Sequence, residues 1–469
     1  MDPVTNRLRG RDATWLALAA LAVRLPAWFA DRHFHPDDGT YGMSALAMRD
    51  GHAPFRTVFS SQGPAHLVFV FLGDLATGRT TNSPRSIAVV AGVVATLAAA
   101  AIGARFSGRM GAWIAGTLVA TTGSMLWTSG PLTADAITIA FVGLAFVAAL
   151  RYEDDPTLAR AVLVGALIGT GMSAKIAVAL LGMLPAVVAL ARRNVRHLVA
   201  AGASAAAVAV AFAAPFGFSK VWDQAVQYQL ETERERSIAA NAAKIVTTLW
   251  SRDLVLVMVA IAAFASVVAA RNGVNSHQRG LAWWAVLMAA FLAVQPALWR
   301  NHLSHLTMPL ALLAASSWRG LPLRGRVRTL AALVLVLLVG VQLRFTTSIL
   351  HPRPYDSNTQ SAADALGELP SDARVISDEV GIVWRAGRRT PDDLVDMSIK
   401  QFQQDRIDLD RILESSSSPD VCGVLVWSAR HLGSLDGLAA GLAAEGYRPV
   451  RHFAGQNGGR VLYTRPCRI

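Results

Sequence analysis

Runs of about twenty apolar residues recur along this chain, separated by short segments rich in arginine. A bilayer core is spanned by roughly 20 helical residues of this kind, so the repetition confines the chain to a helical membrane fold. Eleven spans are predicted, near 12–30, 85–104, 111–127, 134–150, 159–174, 176–191, 197–214, 254–270, 281–299, 303–318 and 328–348. Composition agrees: 53% of the 469 residues are hydrophobic and 16% charged, against roughly a quarter charged in soluble domains. The net charge of +12 does not mark a nucleic-acid binder, because the basic residues punctuate apolar runs instead of forming a patch.

Positive residues near span ends stay cytoplasmic. Arg7/Arg9/Arg11, Arg105/Arg109, Arg151/Arg160, Arg192/Arg193/Arg196, Arg271/Arg279 and Arg319/Arg324/Arg326/Arg328 fall in alternate loops. With these inside, the N-terminus is cytoplasmic, the C-terminus is outside, and the outer loops carry Asp31, Asp37, Asp38, Asp50, Asp135, Asp223 and Glu231. The first span, with its basic start, reads as a retained signal-anchor. Trp28, Trp127, Trp250 and Trp299 fall near outer span ends, as an interfacial belt requires. Residues 64–79 are read as an amphipathic helix on the outer surface, since counting them as a span would invert every later loop.

Three regions are thereby expected outside: a long first loop over 31–83, a polar stretch at 216–252 with a helix over 220–236, and a small α/β domain. This C-terminal domain takes residues 351–469, after the hinge His351-Pro352-Arg353-Pro354, leaving 1–350 as the membrane domain. Strands are expected at Arg374–Ile376, Val421–Val426 and Arg460–Tyr463, and helices at Ile399–Leu413 and Leu435–Glu445. Cys422 and Cys467 are the two cysteines. They exclude a CxxC metal or redox module, and in an oxidising compartment they can pair.

The densest polar cluster beside the membrane is His33-Phe34-His35-Pro36-Asp37-Asp38-Gly39-Thr40-Tyr41. Adjacent carboxylates repel, which leaves three readings: Asp37 or Asp38 as a general base for an acceptor hydroxyl, a divalent-metal site drawing on His33, His35 and the carboxylates, or Asp38 as a helix N-cap. Asp135 opens the span at 134–150, as a site residue or a cap. Lys175 stands between two spans at the outer face, where a cation is disfavoured unless it has an anionic partner such as a lipid phosphate. Gly165 and Gly169 read as helix packing, because no Gly-Lys-Ser/Thr follows. His302 and His305, three apart, read as interfacial histidines on one helix face beside Arg300. No HExxH, GxSxG or Walker sequence occurs.

Several segments share an order. Asp37-Asp38-Gly39-Thr40-Tyr41 is followed by Ala45-Leu46-Ala47, Asp50-Gly51, Pro54-Phe55 and Gln62-Gly63-Pro64; then come Leu132-Thr133-Ala134-Asp135, the small-residue run Gly169–Lys175, and Asn301-His302 through Pro309. In the tail stand Ile376-Ser377-Asp378-Glu379, Gly387-Arg388-Arg389-Thr390-Pro391 and Leu394-Val395-Asp396. The ordered set resembles the polytopic GT-C glycosyltransferases that use lipid-phosphate sugars, a superfamily that includes protein O-mannosyltransferases and the aminoarabinose transferases of lipid A. Two positions depart from that pattern: Asp38 stands where Glu is common, and Gln62 where Lys is common.

The resemblance implies a transferase acting on the extracytoplasmic face of the cell membrane. A sugar, mannose and arabinofuranose being the donor types suggested, would pass with inversion from polyprenyl phosphate to a hydroxyl of a lipid, glycan or protein. Asp37 and Asp38 would be catalytic, and Lys175, Arg56 and Arg300 would bind the donor phosphate. Asp135, Tyr41, Gln62 and His302 would position donor or acceptor. Any metal, magnesium or manganese, would lie on His35, Asp38 and Asp135. The alternative is a multi-pass transporter or flippase of an amphipathic substrate, which predicts repeat symmetry and broken helices lined by charge; neither is seen in the sequence. A non-catalytic scaffold leaves the carboxylate pair and Lys175 unexplained.

Overall fold

A computed structural model of the protein describes residues 8–29, 36–269, 276–318, 326–350, 356–454 and 459–467. The chain divides into two compact units. The first comprises Met1–Ala30, Ile87–Ala213 and Arg234–Pro352, and the second Asp31–Ser86, Ala214–Glu233 and Arg353–Ile469.

The regular elements described in the first unit are all helices, and its apolar runs break where single residues require it. The run at 12–30 becomes Gly10–Ala22 and Leu25–Phe29, parted at Val23–Arg24. The Arg24 guanidinium is buried there and donates to Ser129 Oγ at 2.7 Å and the Ala20 carbonyl at 2.8 Å. Gly92 leaves it room, since a Cβ on Gly92 would stand 2.2 Å from Arg24 Nε. The runs at 85–104 and 111–127 form the arms of Ser86–Thr121, which turns at Ser107–Gly108 with Gly108 at φ +66°. The arms meet as an antiparallel pair: a Cβ on Gly103 would lie 2.3 Å from the Gly111 carbonyl oxygen.

The helices Leu158–Ala174 and Val195–Ala213 pack through Gly165 and Gly169, as the small-residue spacing suggests. A Cβ at those positions would lie 2.0 Å from the Ala201 carbonyl and 2.5 Å from that of Ala205. The run at 176–191 divides into Ile176–Gly182 and Leu184–Ala191, and that at 303–318 starts as the 3₁₀ helix Arg300–Leu306 before Thr307–Ser317. By length and apolarity three described helices could cross a membrane: Ser83–Thr121, Ala134–Asp154 and Val195–Phe216. A pair bent by 112°, Ile238–Arg252 with Leu254–Val268, would add a fourth. Length and composition alone therefore do not deliver eleven spans, because several runs are broken helices.

The polar stretch at 216–252 also differs from expectation. Helical turns run from Phe218 to Leu230, with π geometry over Trp222–Gln227, and stop before the charge run at 231–236. A separate helix, Ile238–Arg252, starts at Ser237, whose hydroxyl accepts from the Ala240 amide at 3.2 Å. That N-cap is the local signal for the restart.

In the second unit a four-stranded sheet has the order β1-β2-β4-β3, with β1 Arg374–Ser377, β2 Val421–Val426, β3 Arg448–Phe453 and β4 Arg460–Thr464. β1 and β2 are parallel; β4 runs antiparallel to both its neighbours. Every residue of β2 is buried, as expected of an inner strand covered on both faces. The helix expected at Ile399–Leu413 is two, Ile399–Gln403 and Leu409–Ser417, the second capped by Asp408. The core of this unit also takes Met43, Ala47 and Val58 from the first loop. Asp50 pairs with Arg389, His52 with Asp392, and Arg406 with Asp223 at 3.0 Å.

Cys422 and Cys467 are joined, with their Cα atoms 5.2 Å apart. Closing a loop of 45 residues restricts the unfolded chain by roughly 4 kcal/mol in the loop-entropy treatment. Cys467→Ser is therefore expected to lower the thermal midpoint of the full chain, and reductant should lower wild type to the same value. A midpoint indifferent to both changes would mean the bridge contributes nothing to stability.

Two carboxyls close β1. Asp378 accepts from the Trp427 amide at 2.7 Å and the Ser428 amide at 2.9 Å. Burial pushes Asp378 up to about 6 and Glu379 up to about 7, the neighbouring Asp378 charge adding to the latter and Arg460 opposing it. A folded-state value above the unfolded one means that folding holds the proton, so stability falls as pH rises through the folded value. His431, which burial lowers, acts oppositely up to about one pH unit above its ordinary value near 6.5. Between pH 6.5 and 8 the net loss is expected to be roughly 0.5 kcal/mol, and Glu379→Gln should remove it in thermal unfolding of the full chain.

Candidate active site

The candidate residues fall into two clusters, one in each unit. In the second unit Asp37, Asp38 and Tyr41 lie on the helix Pro36–Arg49. Proline opens the helix, where its missing N–H costs nothing. Both carboxylates sit in the first turn, where the helix dipole favours negative charge. Asp38 is thus inside the helix and is not its N-cap, which corrects that reading. Its carboxylate is fully buried and pairs with the buried Arg85 guanidinium, Nε to Oδ1 3.4 Å. Asp37 is half-buried.

The glycines of this helix fix its seat. A Cβ on Gly39 would lie 2.3 Å from the Gly381 backbone nitrogen, and one on Gly42 would lie 2.5 Å from the Trp384 ring. The turn that carries the two carboxylates is therefore held backbone-to-backbone on the helix Val380–Arg385, directly after Asp378-Glu379. Tyr41 is buried one turn on, edge-to-face with His66 at 4.4 Å between centroids. Farther along, Arg49 forks onto the buried carboxylate of Asp74.

The same unit holds Arg56 and Gln62. Arg56 donates to the Pro215 carbonyl at 3.0 Å, and the Gln62 carbonyl accepts from the Ser60 hydroxyl at 3.1 Å. The amphipathic helix read at 64–79 is Pro64–Ala76. Its inward face carries His66, Leu67, Val70 and Asp74, while Leu72 and Leu75 are exposed.

In the first unit Asp135 joins three chain segments. It lies in the first turn of Ala134–Asp154, after the N-cap Thr133, and its side chain does not cap. Oδ1 accepts from Lys175 Nζ and from His305 Nε2, each at 2.8 Å, and Oδ2 accepts from Asn301 Nδ2 at 2.8 Å. Asp135, His305 and Asn301 are buried. Lys175 stands in extended backbone at the break between Leu158–Ala174 and Ile176–Gly182, which lets its amine turn back to the carboxylate. The anionic partner that the sequence demanded for Lys175 is thus Asp135. An ammonium has three N–H donors, and Asp135 takes one of them.

The 3₁₀ turn Arg300–Leu306 supplies the remaining partners. Three residues per turn bring Asn301 and Ser304, or His302 and His305, into line. Even so, the two histidines part: His302 Nδ1 meets Gln295 Oε1 at 2.9 Å, whereas His305 serves Asp135. Arg300 is exposed at the start of the turn. Sequence reasoning had His305 as a bystander and did not see Asn301 or Arg85 as partners of the acidic residues.

The residues do not suit a resident divalent cation. Asp38 is engaged by a guanidinium, and Asp135 by an ammonium and two further N–H donors; a cation would have to displace them. No group of three or more His, Cys, Asp or Glu among the described residues could hold a metal ion, and His33 and His35 lie outside those residues.

Residues 62–218 match the family of dolichyl-phosphate-mannose-protein mannosyltransferases, a stretch that includes Gln62, Asp135 and Lys175 and begins after the Asp37-Asp38 pair. No curated protein sequence matches. The fold is similar to that of ArnT from Cupriavidus metallidurans in the apo state, with a TM-score of 0.67 at 15% identity over 96% of this chain and 98% of that one. The same protein bound to undecaprenyl phosphate gives 0.68 at 14% identity, with the same coverage. The chain has the GT-C fold. A more distant GT-C structure, the Archaeoglobus fulgidus oligosaccharyltransferase tethered to an acceptor peptide, gives 0.52 at 11% identity over 88% of this chain and 68% of that one. The GT-C fold is a multi-pass membrane fold, here with a small sheet region near the C-terminus.

Proposed function

We propose that this chain is a membrane glycosyltransferase that moves a sugar from a polyprenyl-phosphate donor to an acceptor hydroxyl on the extracytoplasmic face, with inversion. The observation that carries the reading is the unequal fate of two adjacent carboxylates. Asp38 is buried against Arg85, while Asp37 is half-buried on the same immobilised turn. A carboxylate held rigidly and partly exposed is what a general base requires. The donor class is supported by the matched family, whose name specifies a lipid-phosphate mannose, and by the undecaprenyl phosphate bound to ArnT.

In this mechanism Asp37 takes the proton of the acceptor hydroxyl as its oxygen attacks the anomeric carbon. The bond from that carbon to the phosphate oxygen breaks, and polyprenyl phosphate leaves with the charge. Lys175 retains N–H groups beyond the one given to Asp135 and would meet the departing phosphate, with Arg56 and Arg300 as further cations. Tyr41, Gln62 and His302 would position donor or acceptor. The N-terminus would be cytoplasmic and residues 351–469 would form the extracytoplasmic domain. Mannose and arabinofuranose are the first donors to test.

The experiment is turnover in nanodiscs with a panel of polyprenyl-phosphate sugars and simple acceptors. Release of polyprenyl phosphate by wild type and not by Asp37→Asn supports the assignment. Folded wild-type protein that neither binds nor turns over any donor in the panel overturns it and favours a transporter.

A further inference from the structure

In the C-terminal sheet β1 and β2 are parallel neighbours and β4 runs back beside β2, so Asp378-Glu379, Trp427-Ser428 and Arg460 come to one end of it. Open sheets take ligands in the crevice outside the carboxyl ends of parallel strands. Of the two carboxyls there, Asp378 is held by the Trp427 and Ser428 amides. Glu379 is not. Among the described residues its carboxyl makes no hydrogen bond or ion pair, and the same is true of the Arg460 guanidinium, which lies 4.2 Å over the centroid of the Trp427 ring.

The two side chains are both half-buried, and they are near enough for the Arg460 charge to act on Glu379. Opposite charges in such surroundings gain by pairing, yet these do not meet. The tryptophan face orients the guanidinium by a cation–π contact and leaves its N–H donors uncommitted. His431 stands at the same end of the sheet, its Nδ1 buried with no hydrogen bond and 3.9 Å from Asp378 Oδ2. These groups also adjoin the turn of Asp37. Gly381, whose backbone meets Gly39, follows Glu379 by two residues, as Gly39 follows Asp37. A Cβ on Gly381 would lie 3.4 Å from Glu379 Oε1 and 3.8 Å from Gly39 Cα, so the uncommitted carboxyl lies beside the turn that carries the candidate base.

A carboxylate next to a guanidinium sets acceptors beside donors. Each sugar hydroxyl both donates and accepts, so a vicinal pair can accept from Arg460 and donate to Glu379 at once. An extended peptide would add along a sheet edge, whereas these groups stand at strand ends. A lipid chain needs apolar surface, and Val450 is the one large hydrophobic side chain exposed among the described residues of 356–467. We propose that Glu379 and Arg460, with His431 beside them, bind vicinal hydroxyls of a glycan, and that this glycan is the acceptor. The first half stands on the sheet alone; the second rests on the transferase reading above.

Binding is measured by saturation-transfer NMR on the full chain in nanodiscs, without donor. The probes are short oligosaccharides of mannose, arabinose, glucose and galactose, and a threonine-containing peptide. At least one oligosaccharide is expected to bind, and Arg460→Gln to bind it roughly 10-fold more weakly, one charge-assisted hydrogen bond being lost. Glu379→Gln, which keeps the shape without the charge, should weaken it as well. No saccharide bound by folded wild type, or unchanged binding by both variants at the wild-type thermal midpoint, overturns the site. Peptide binding that needs Arg460 while no saccharide does overturns the glycan class. With the bound saccharide as acceptor in turnover, Arg460→Gln should raise the KM for acceptor and leave the KM for donor unmoved; an unmoved acceptor KM overturns the acceptor role. Wild type that binds the saccharide through Arg460 but releases polyprenyl phosphate from no donor overturns the transferase reading and the acceptor half with it, and leaves the glycan site standing.

Discussion

Asp37→Asn is expected to lower turnover by about 10²–10⁴-fold, the usual contribution of a positioned general base, while leaving the thermal midpoint where it was. The neighbouring substitution should do the reverse. Asp38→Asn removes the carboxylate that faces Arg85 in a site closed to solvent, and a buried charge stripped of its partner typically costs about 3–5 kcal/mol. Two identical substitutions at consecutive positions thus separate chemistry from support. The distinguishing measurement is kinetic as well as thermal. Loss of the base should appear in kcat with the KM for donor little changed, because Asn keeps the shape and the neighbouring hydrogen bonding. Equal loss of midpoint in both variants would mean that the two carboxylates do one structural job, and the base would have to be sought elsewhere.

Much of this arrangement was legible in the sequence because it depends on local signals. The apolar runs, the paired carboxylates after the first span, and the Gly165/Gly169 spacing each encode something within a few residues. The C-terminal strands at 374, 421 and 460 follow from short apolar stretches bounded by turn residues, and all three form. What could not be read is long-range partnership. Arg85 looked like the edge of a span, and nothing near it in sequence points to Asp38, 47 positions earlier. His305 was seen beside His302, but the 3₁₀ winding of Arg300–Leu306 sends one ring to Gln295 and the other to Asp135. Gly39 was visible only as a small residue in a motif. That it must be glycine, because the Gly381 backbone occupies the place of its side chain, is a fact of packing across some 340 residues. Broken helices were equally hidden, since Arg24 interrupts its run through hydrogen bonds to residues far down the chain.

The second large effect is expected at Asp135. Asn in its place keeps the volume but offers one acceptor oxygen, where the carboxylate offers two to three donors. Lys175 and His305 would then compete for that oxygen, and the Asn301 amide would face another N–H donor. Removing one partner from a buried ion pair costs about 3–5 kcal/mol, so thermal unfolding in detergent should show a large fall for Asp135→Asn. Lys175→Met alone should cost less, because the remaining donors still satisfy the carboxylate. The double variant Asp135→Asn/Lys175→Met decides between two roles for the lysine. If Lys175 is there to neutralise Asp135, the double variant regains part of the loss and the cycle shows a coupling well above 0.5 kcal/mol. If the amine is held by Asp135 in order to meet a donor phosphate, Lys175→Met should also weaken polyprenyl-phosphate binding while leaving the midpoint nearly intact. Strictly additive losses, with donor binding unmoved by Lys175→Met, would remove both roles and leave the lysine as an interfacial anchor.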